Sequence, residues 1–282
     1  MLNRARYLAL SSHPGPTLAV TVLSGLLAAS LGYPVARILV IALAILLGQL
    51  SIGFSNDWID AGRDSATGRT DKPVAQGLVP VADVRRAAVS TLVIGLAVSI
   101  ALGPAAAIAH AVLILSGWAY NVGLKRTPAS VLPFIVSFGL LPAVITLAGQ
   151  EGVPPAPWAV LVGAVFGVSI HFTNVLPDLA DDAATSVRGL PHRLGARISG
   201  LVAFGALVVA ALLVLVGPLV AHPGTTVTLA SVIGLVVSLA IAAWGVWLVS
   251  TRPPGRLLFR LVILASLVIA VELVLSGTRL AS

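Results

Sequence analysis

Two stretches of the sequence carry side chains that could do chemistry, and they share one frame. The first reads Asn56-Asp57-Trp58-Ile59-Asp60-Ala61-Gly62-Arg63-Asp64, the second Asn174-Val175-Leu176-Pro177-Asp178-Leu179-Ala180-Asp181-Asp182. Both contain Asn-x-x-x-Asp-x-x-x-Asp, at 56/60/64 and at 174/178/182. On a helix a step of four residues turns by about 400°, so the three side chains lie along one drifting stripe over roughly 12 Å. Oxygen donors with neither Cys nor His in the frame favour Mg²⁺, which takes a few carboxylates, several waters and substrate phosphates. A basic loop with Pro and Gly follows each stretch: Arg69, Lys72-Pro73 and Gly77 after the first, Arg188-Gly189, Pro191 and Arg193 after the second. These bases, with Arg63, Lys125 and Arg126, suit phosphate oxygens. Lys72 and Lys125 are the only lysines in the chain. One Asp cluster at a helix end is ordinarily a solvated loop. Two copies of one frame, in a chain with 10 acids in all, point instead to a site.

The elements that must hold these clusters are set by the composition. The chain has 282 residues, 58% hydrophobic and 10% charged, with a mean hydropathy of +1.04. A soluble domain carries about 25% charged residues, so an ordinary soluble protein, a disordered chain and a nucleic-acid module are excluded. An all-α, polytopic membrane protein remains. With no Cys there is no disulfide, thiolate metal site or Cys nucleophile. Charge-free runs cover 7–36, 38–56, 87–124, 127–150, 152–177 and 198–251. A crossing needs about 20 apolar residues, and the longest runs break at Gly103-Pro104 and at His222-Pro223-Gly224. The count is nine transmembrane helices, at 15–31, 33–54, 84–102, 104–121, 130–149, 157–177, 198–220, 225–249 and 257–277. They form one membrane domain over 1–282, with Asp-rich loops at about 55–83 and 174–197, and no cleavable signal peptide is evident.

Nine crossings put the termini on opposite sides. Of the 17 Lys and Arg, 15 then fall on the side of the N-terminus, leaving Arg37 and Arg279 for the other. The positive-inside rule places the N-terminus in the cytoplasm and the C-terminus outside. The net charge of +7 reflects these basic loops rather than a nucleic-acid surface. Eight of the ten acids lie on the cytoplasmic side. Because the clusters are four helices apart they share that side, which reads as an internal duplication with a pseudo-twofold axis between them. High Ala, Gly and Arg with two Lys point to a GC-rich bacterial gene, hence to the plasma membrane.

On these residues the chain resembles the UbiA-type intramembrane prenyltransferases. The first cluster is similar to that family's Asn-Asp-x-x-Asp-x-x-x-Asp motif, and the second to its Asp-x-x-x-Asp motif. Val187-Arg188-Gly189-Leu190-Pro191-His192-Arg193-Leu194-Gly195 resembles the stretch that follows, and Tyr120-Asn121 with Lys125-Arg126 a Tyr/Lys segment after the fourth helix. The resemblance covers essentially the whole chain and implies a nine-helix bundle that binds a prenyl diphosphate through Mg²⁺. It implies that Asn56, Asp60 and Asp64, with Asp57 nearby, belong to a first Mg²⁺–diphosphate site. Asp178 and Asp182 would serve a second, with Asp181 as a substitute ligand. Asn174 stands where many members carry an acid, so the second site would hold one charge fewer. Lys72, Lys125 and Arg193 are the first choices for diphosphate contacts, followed by Arg63, Arg69, Arg126 and Arg188, with Tyr120 beside the substrate.

The implied reaction moves a prenyl group from its diphosphate to a hydrophobic or aromatic acceptor in the bilayer. A terpene cyclase on the same scaffold is the alternative, with the prenyl chain's own double bonds as nucleophile. A cation transporter is a third reading, disfavoured because the ionisable groups gather at one side instead of at several depths. His171, three residues before Asn174, reads either as a base for the acceptor or as a hydrogen-bonded helix-packing histidine. His13 marks the start of the first helix or touches the acceptor. Glu272 reads as interfacial or paired with a neighbouring helix, and Gly163 with Gly167 as a close-packing pair.

Overall fold

The computed structural model describes residues 2–176, 179, 188–252 and 256–282. Asp178, Asp181 and Asp182, all expected in the second site, lie outside the described residues. Among the described residues ten helices follow one another: α1 (Leu2–Leu10), α2 (Pro14–Ser30), α3 (Val35–Ala66), α4 (Val81–Ile100), α5 (Pro104–Val122), α6 (Leu132–Leu147), α7 (Pro157–Val175), α8 (Leu190–Ala221), α9 (Leu229–Thr251) and α10 (Arg256–Ser276). Proline opens α2, α5 and α7, where its missing N–H costs nothing and its fixed φ suits a helix start. Two short 3-10 turns, Leu124–Arg126 and Pro128–Val131, join α5 to α6.

Seven helices are long and apolar enough to cross a membrane: α3, α5, α6 with its preceding turn, α7, α8, α9 and α10. The other two segments in the count of nine are α2, an apolar helix of 17 residues, and α4, whose first turns carry Asp83, Arg85 and Arg86. Consecutive helices pack side by side from α2 to α10, and α10 reaches back to α2 and α7, closing the ring. The apolar side chains turned outward, among them Leu39, Ile108, Val236 and Leu267, would be a liability in water. Against lipid they cost nothing.

Three features differ from the sequence reading. α3 does not end near residue 54 but continues to Ala66, so the first Asp-rich stretch is helix rather than loop. Residues 55–66 extend the rod about 18 Å beyond the span, and nothing breaks it before Gly68, which takes a positive φ of 66°. At the start of α8 the chain is already helical from Leu190, then breaks at Gly195, where φ is 77°. α1 was not expected: it has no apolar run of its own. It is held by an Arg4–Asp83 ion pair to α4 and by Tyr7 and Leu8, which pack on a small core of Phe54, Ala61, Val74, Val79, Val84 and Ala88.

At the end of the bundle away from the Asp-rich stretch, Arg37 of α3 spans three elements. Its guanidinium donates to the carbonyls of Ala101 (2.7 Å) and Leu102 (3.0 Å) after α4, and of Ala148 (2.5 Å) after α6. It thereby satisfies carbonyls that the last turns of two helices leave unpaired and meets the negative end of each dipole.

α6 and α7 approach backbone to backbone. A methyl group at Gly163 would collide with the Phe138 carbonyl, and one at Gly167 with that of Phe134. Pro142 sits inside α6 and supplies no N–H, so the Phe138 carbonyl has no amide one turn on and Gly163 fills the space against it. Gly163→Ala and Gly167→Ala should each destabilise the protein by about 1–3 kcal/mol, the usual cost of overpacking. Thermal unfolding in detergent checks this, with Gly62→Ala, whose Cβ meets nothing, as the control that should gain about 0.5–1 kcal/mol from helix propensity alone.

Candidate active site

The protruding end of α3 presents Asp57, Asp60 and Asp64 to one side. Residues i, i+3 and i+7 fall within about 60° of each other around a helix. All three carboxylates are almost wholly buried, with 1%, 2% and 2% of their surface exposed. Burying charge is costly unless each is paired, and here the partners come from two different connections. Lys72, in the loop between α3 and α4, places its ammonium 3.0 Å from Asp57 Oδ1 and 2.9 Å from Asp64 Oδ2. Lys125, on the 3-10 turn after α5, lies 2.6 Å from both oxygens of Asp60. Arg63 adds contacts of 3.1 Å to Asp60 and 3.4 Å to Asp64.

The sequence fixes these lysines locally. Pro73 is buried, and Val74 and Val79 pack with Ala61 and Phe54, so an apolar clamp presses the loop onto α3 beside Lys72. Asn56 accepts from the Lys72 ammonium at 3.2 Å and donates to Asn121 at 3.1 Å. Asn121 in turn donates to Ile52 O and Ser55 Oγ. The chain of amides orients the Asn56 oxygen towards Lys72. Burial alone would lower the Lys72 pKa, but the charges of Asp57 and Asp64 and its bonds to them outweigh it and hold the group above the ordinary lysine value. Its contribution to stability is therefore fully present at neutral pH and is lost only as pH climbs through that raised value.

His13 is a member that the sequence pattern did not assign. It is the one non-glycine residue with positive φ (54°) among the described residues, and its Nε2 lies 3.0 Å from Asp57 Oδ1. The chain can pass there because Gly53 lets the Ser12 carbonyl come against α3, where any Cβ would collide.

The remaining expected residues are placed as follows. Arg69 pairs with Asp71 at 2.7 Å, and that guanidinium, ahead of partial burial, holds the Asp71 pKa at about 2. Tyr120 packs edge-on to Phe134 (5.1 Å) and His171 (5.9 Å). His171 is fully buried and bonded through Nε2 to Ser130 Oγ at 3.0 Å, while its Nδ1 has no hydrogen-bond partner among the described residues. Ser130 also accepts from the Leu190 amide, and Gly189 abuts the Lys125 carbonyl so closely that a Cβ would sit 2.7 Å from it. The stretch after the second motif is thus built against the turn that carries Lys125. Arg126, Arg188 and Arg193 are exposed. Asn174 is exposed at the end of α7.

The donors on α3 are all oxygens, as suits Mg²⁺. Among the described residues no three acidic or histidine side chains converge on one point; the aspartates are spaced along the face with an ammonium between them. That arrangement fits a metal taking one or two carboxylates at a time and completing its shell with waters and substrate phosphate.

Lys72→Met should cost about 3–5 kcal/mol, because it takes the shared ammonium from two buried carboxylates and leaves Asp57 only His13 and Asp64 only the longer Arg63 contact. Arg126→Ala should leave stability unchanged. Thermal unfolding of both variants in one detergent checks the pair.

The profile of the UbiA prenyltransferase family matches residues 18–264. No match emerges among curated protein sequences. The fold is similar to the apo structure of a UbiA homologue from Aeropyrum pernix K1, with TM-score 0.71 and 17% identity over 93% of this chain and 98% of that one. It is also similar to a UbiA homologue from Archaeoglobus fulgidus bound to GPP and Mg²⁺, with TM-score 0.69 and 14% identity over 94% and 98%. A structure described as digeranylgeranylglyceryl phosphate synthase gives TM-score 0.67 and 14% identity over 98% of both chains. With an all-helical, multi-pass membrane fold and a family match spanning most of its length, the chain belongs to the UbiA prenyltransferase family.

Proposed function

We propose that this protein transfers a prenyl group from a prenyl diphosphate to a hydrophobic or aromatic acceptor within the membrane, in a Mg²⁺-dependent reaction. The observation that carries the reading is the buried Asp57–Asp60–Asp64 face with Lys72 and Lys125 seated on it. Such a face has carboxylates for a metal and ammonium donors for a diphosphate in one place. The Archaeoglobus relative bound to GPP and Mg²⁺ supports the choice of donor. In this reading Asp60 and Asp64, with Asn56 and Asp57, hold one metal. Asp178 and Asp182, with Asp181 and Asn174, would hold a second. The repeated frame supports that second site, as does the contact of Gly189 with the Lys125 turn. α2 and α4 complete nine crossings, with the N-terminus in the cytoplasm, the C-terminus outside and the protein in the plasma membrane of a bacterium.

When bound, Mg²⁺ supplies Lewis-acid neutralisation of the diphosphate leaving group. The chain's own part is to exchange partners. Lys72 and Lys125 turn their N–H groups from the carboxylates to diphosphate oxygens, freeing Asp57, Asp60 and Asp64 for ligation. Arg63, Arg69, Arg188, Arg193 and Arg126 line the approach. The allylic C1–O bond then breaks with its electron pair staying on the diphosphate. An acceptor atom bonds to C1 with its own electron pair and gives up its proton to the departing diphosphate. Tyr120, Phe134 and Phe138 present aromatic faces that exclude water and stabilise positive charge on the prenyl carbon. The acceptor class is the reading's finer part; cyclisation, the alternative, would need the same ionisation with no second substrate.

Incubation with Mg²⁺ and C10 to C20 prenyl diphosphates, with and without aromatic acceptors, tests this by mass spectrometry. A product heavier by one prenyl group is the expected result. A hydrocarbon or alcohol formed without acceptor would instead establish the cyclase. Asp60→Asn should lower kcat/KM about 10²–10³-fold, as loss of one electrostatic contact to a developing charge does. Lys125→Ala should raise the donor KM while leaving the acceptor KM unchanged.

A further inference from the structure

At the end of the bundle opposite the aspartates, α8, α9 and α10 enclose a cavity of about 230 Å³. Glu272 and Arg279 both line it, together with Thr226, Ser231 and Leu275. Glu272 lies four residues before the end of α10, about 6 Å inside it, where an ionisable group is costly and calls for a partner. Among the described residues it has none: no ion pair or side-chain hydrogen bond reaches its carboxyl group. Gly234 is what lets that carboxyl lie against α9, since a Cβ there would collide with it. Arg279 folds back on the last turn of α10, donating from Nε to Ser276 O (3.0 Å) and from Nη2 to Leu275 O (3.2 Å). It does not reach Glu272, and its other N–H groups are left over.

Deeper in, a second space of about 10 Å³ shares Glu272 and Ser231 with the first and is lined by Ser238. Ser238 is 1% exposed and its hydroxyl has no partner among the described residues. The volume is that of one water, able to bridge Ser238 to the carboxylate. Val227 and Leu275, both on the lining of the larger cavity, stand exposed.

Two opposite charges facing one cavity without pairing, beside a lipid-facing apolar wall, define the missing ligand. We propose that this is a binding site for a zwitterion carrying a primary ammonium and a phosphodiester, the chemistry of an ethanolamine phospholipid headgroup. The ammonium bonds to Glu272 and to the water on Ser238, and the phosphodiester accepts from Arg279. Leu275 and Val227 flank an acyl chain. The site is independent of the aspartate face, so neither its success nor its failure bears on prenyl transfer.

Native mass spectrometry with phosphatidylethanolamine, its mono-, di- and trimethylated forms and phosphatidylglycerol, all with identical acyl chains, tests the proposal without any variant. Adducts of the ethanolamine lipid should exceed those of the trimethylated one about tenfold, as one charge-assisted hydrogen bond is worth, and should fall stepwise with methylation. Glu272→Gln should erase the preference, while Arg279→Gln should weaken all phospholipids alike. Competition by soluble glycerophosphoethanolamine at equal concentration would assign the site to a free zwitterion, and its absence to a lipid. Equal retention of the ethanolamine and trimethylated lipids by the unaltered protein, or an undiminished preference in folded Glu272→Gln, would overturn the assignment.

Discussion

Three aspartates buried within two turns of one helix are the constraint from which the polar end of this protein follows. Each needs a positive neighbour at close range, and α3 supplies only Arg63 from its own length. The others must come from elsewhere in the chain. The α3–α4 loop is therefore folded down so that Lys72 reaches Asp57 and Asp64, and the turn after α5 is tightened into 3-10 geometry where Lys125 meets Asp60. The apolar cluster of Val74, Val79, Ala61 and Phe54 is best understood as the fastening for that loop. α1 then covers the outside, with His13 delivered to Asp57 at its end.

Much of this was legible in the residues themselves. Charge-free runs located the helices, and a repeated Asn-x-x-x-Asp-x-x-x-Asp frame located the chemistry. The two lone lysines were singled out by being the only ones, and both carry buried ion pairs. What was not legible has physical causes. A rule that ends a crossing where charge begins cannot see that α3 stays helical through Asp57, Asp60 and Asp64, because the charges are neutralised from other elements. α1 has too little apolar surface to announce itself and exists through contacts with α4 and Phe54. Spacing by four also drew attention to Asn56 ahead of Asp57, although positions 57, 60 and 64 share a face more closely, within about 60° against about 80° for 56, 60 and 64. His13 depends on a left-handed backbone and on the smallness of Gly53, a pair 40 residues apart that no local pattern connects.

The two ends of the bundle solve the same problem differently. At the aspartate end each buried carboxylate among the described residues has a cation beside it inside the chain. At the other end Glu272 and Arg279 face a common space without touching, and the nearby Ser238 hydroxyl is also without a partner. The α6–α7 seam between them is held by glycine against bare carbonyl, a contact that tolerates no added atom.

Arg37 has a mechanical consequence. One guanidinium joins the start of α3 to the ends of α4 and α6, which makes that level of the bundle a pivot. Rods pinned at one end separate in proportion to distance from the pin. Over about 30 Å of helix, a tilt of about 10° moves the free ends roughly 5 Å apart while the pinned ends barely shift. The aspartate face stands at the far end of the same rod, so its distance from α6 is the one on which any tilt about Arg37 would tell most.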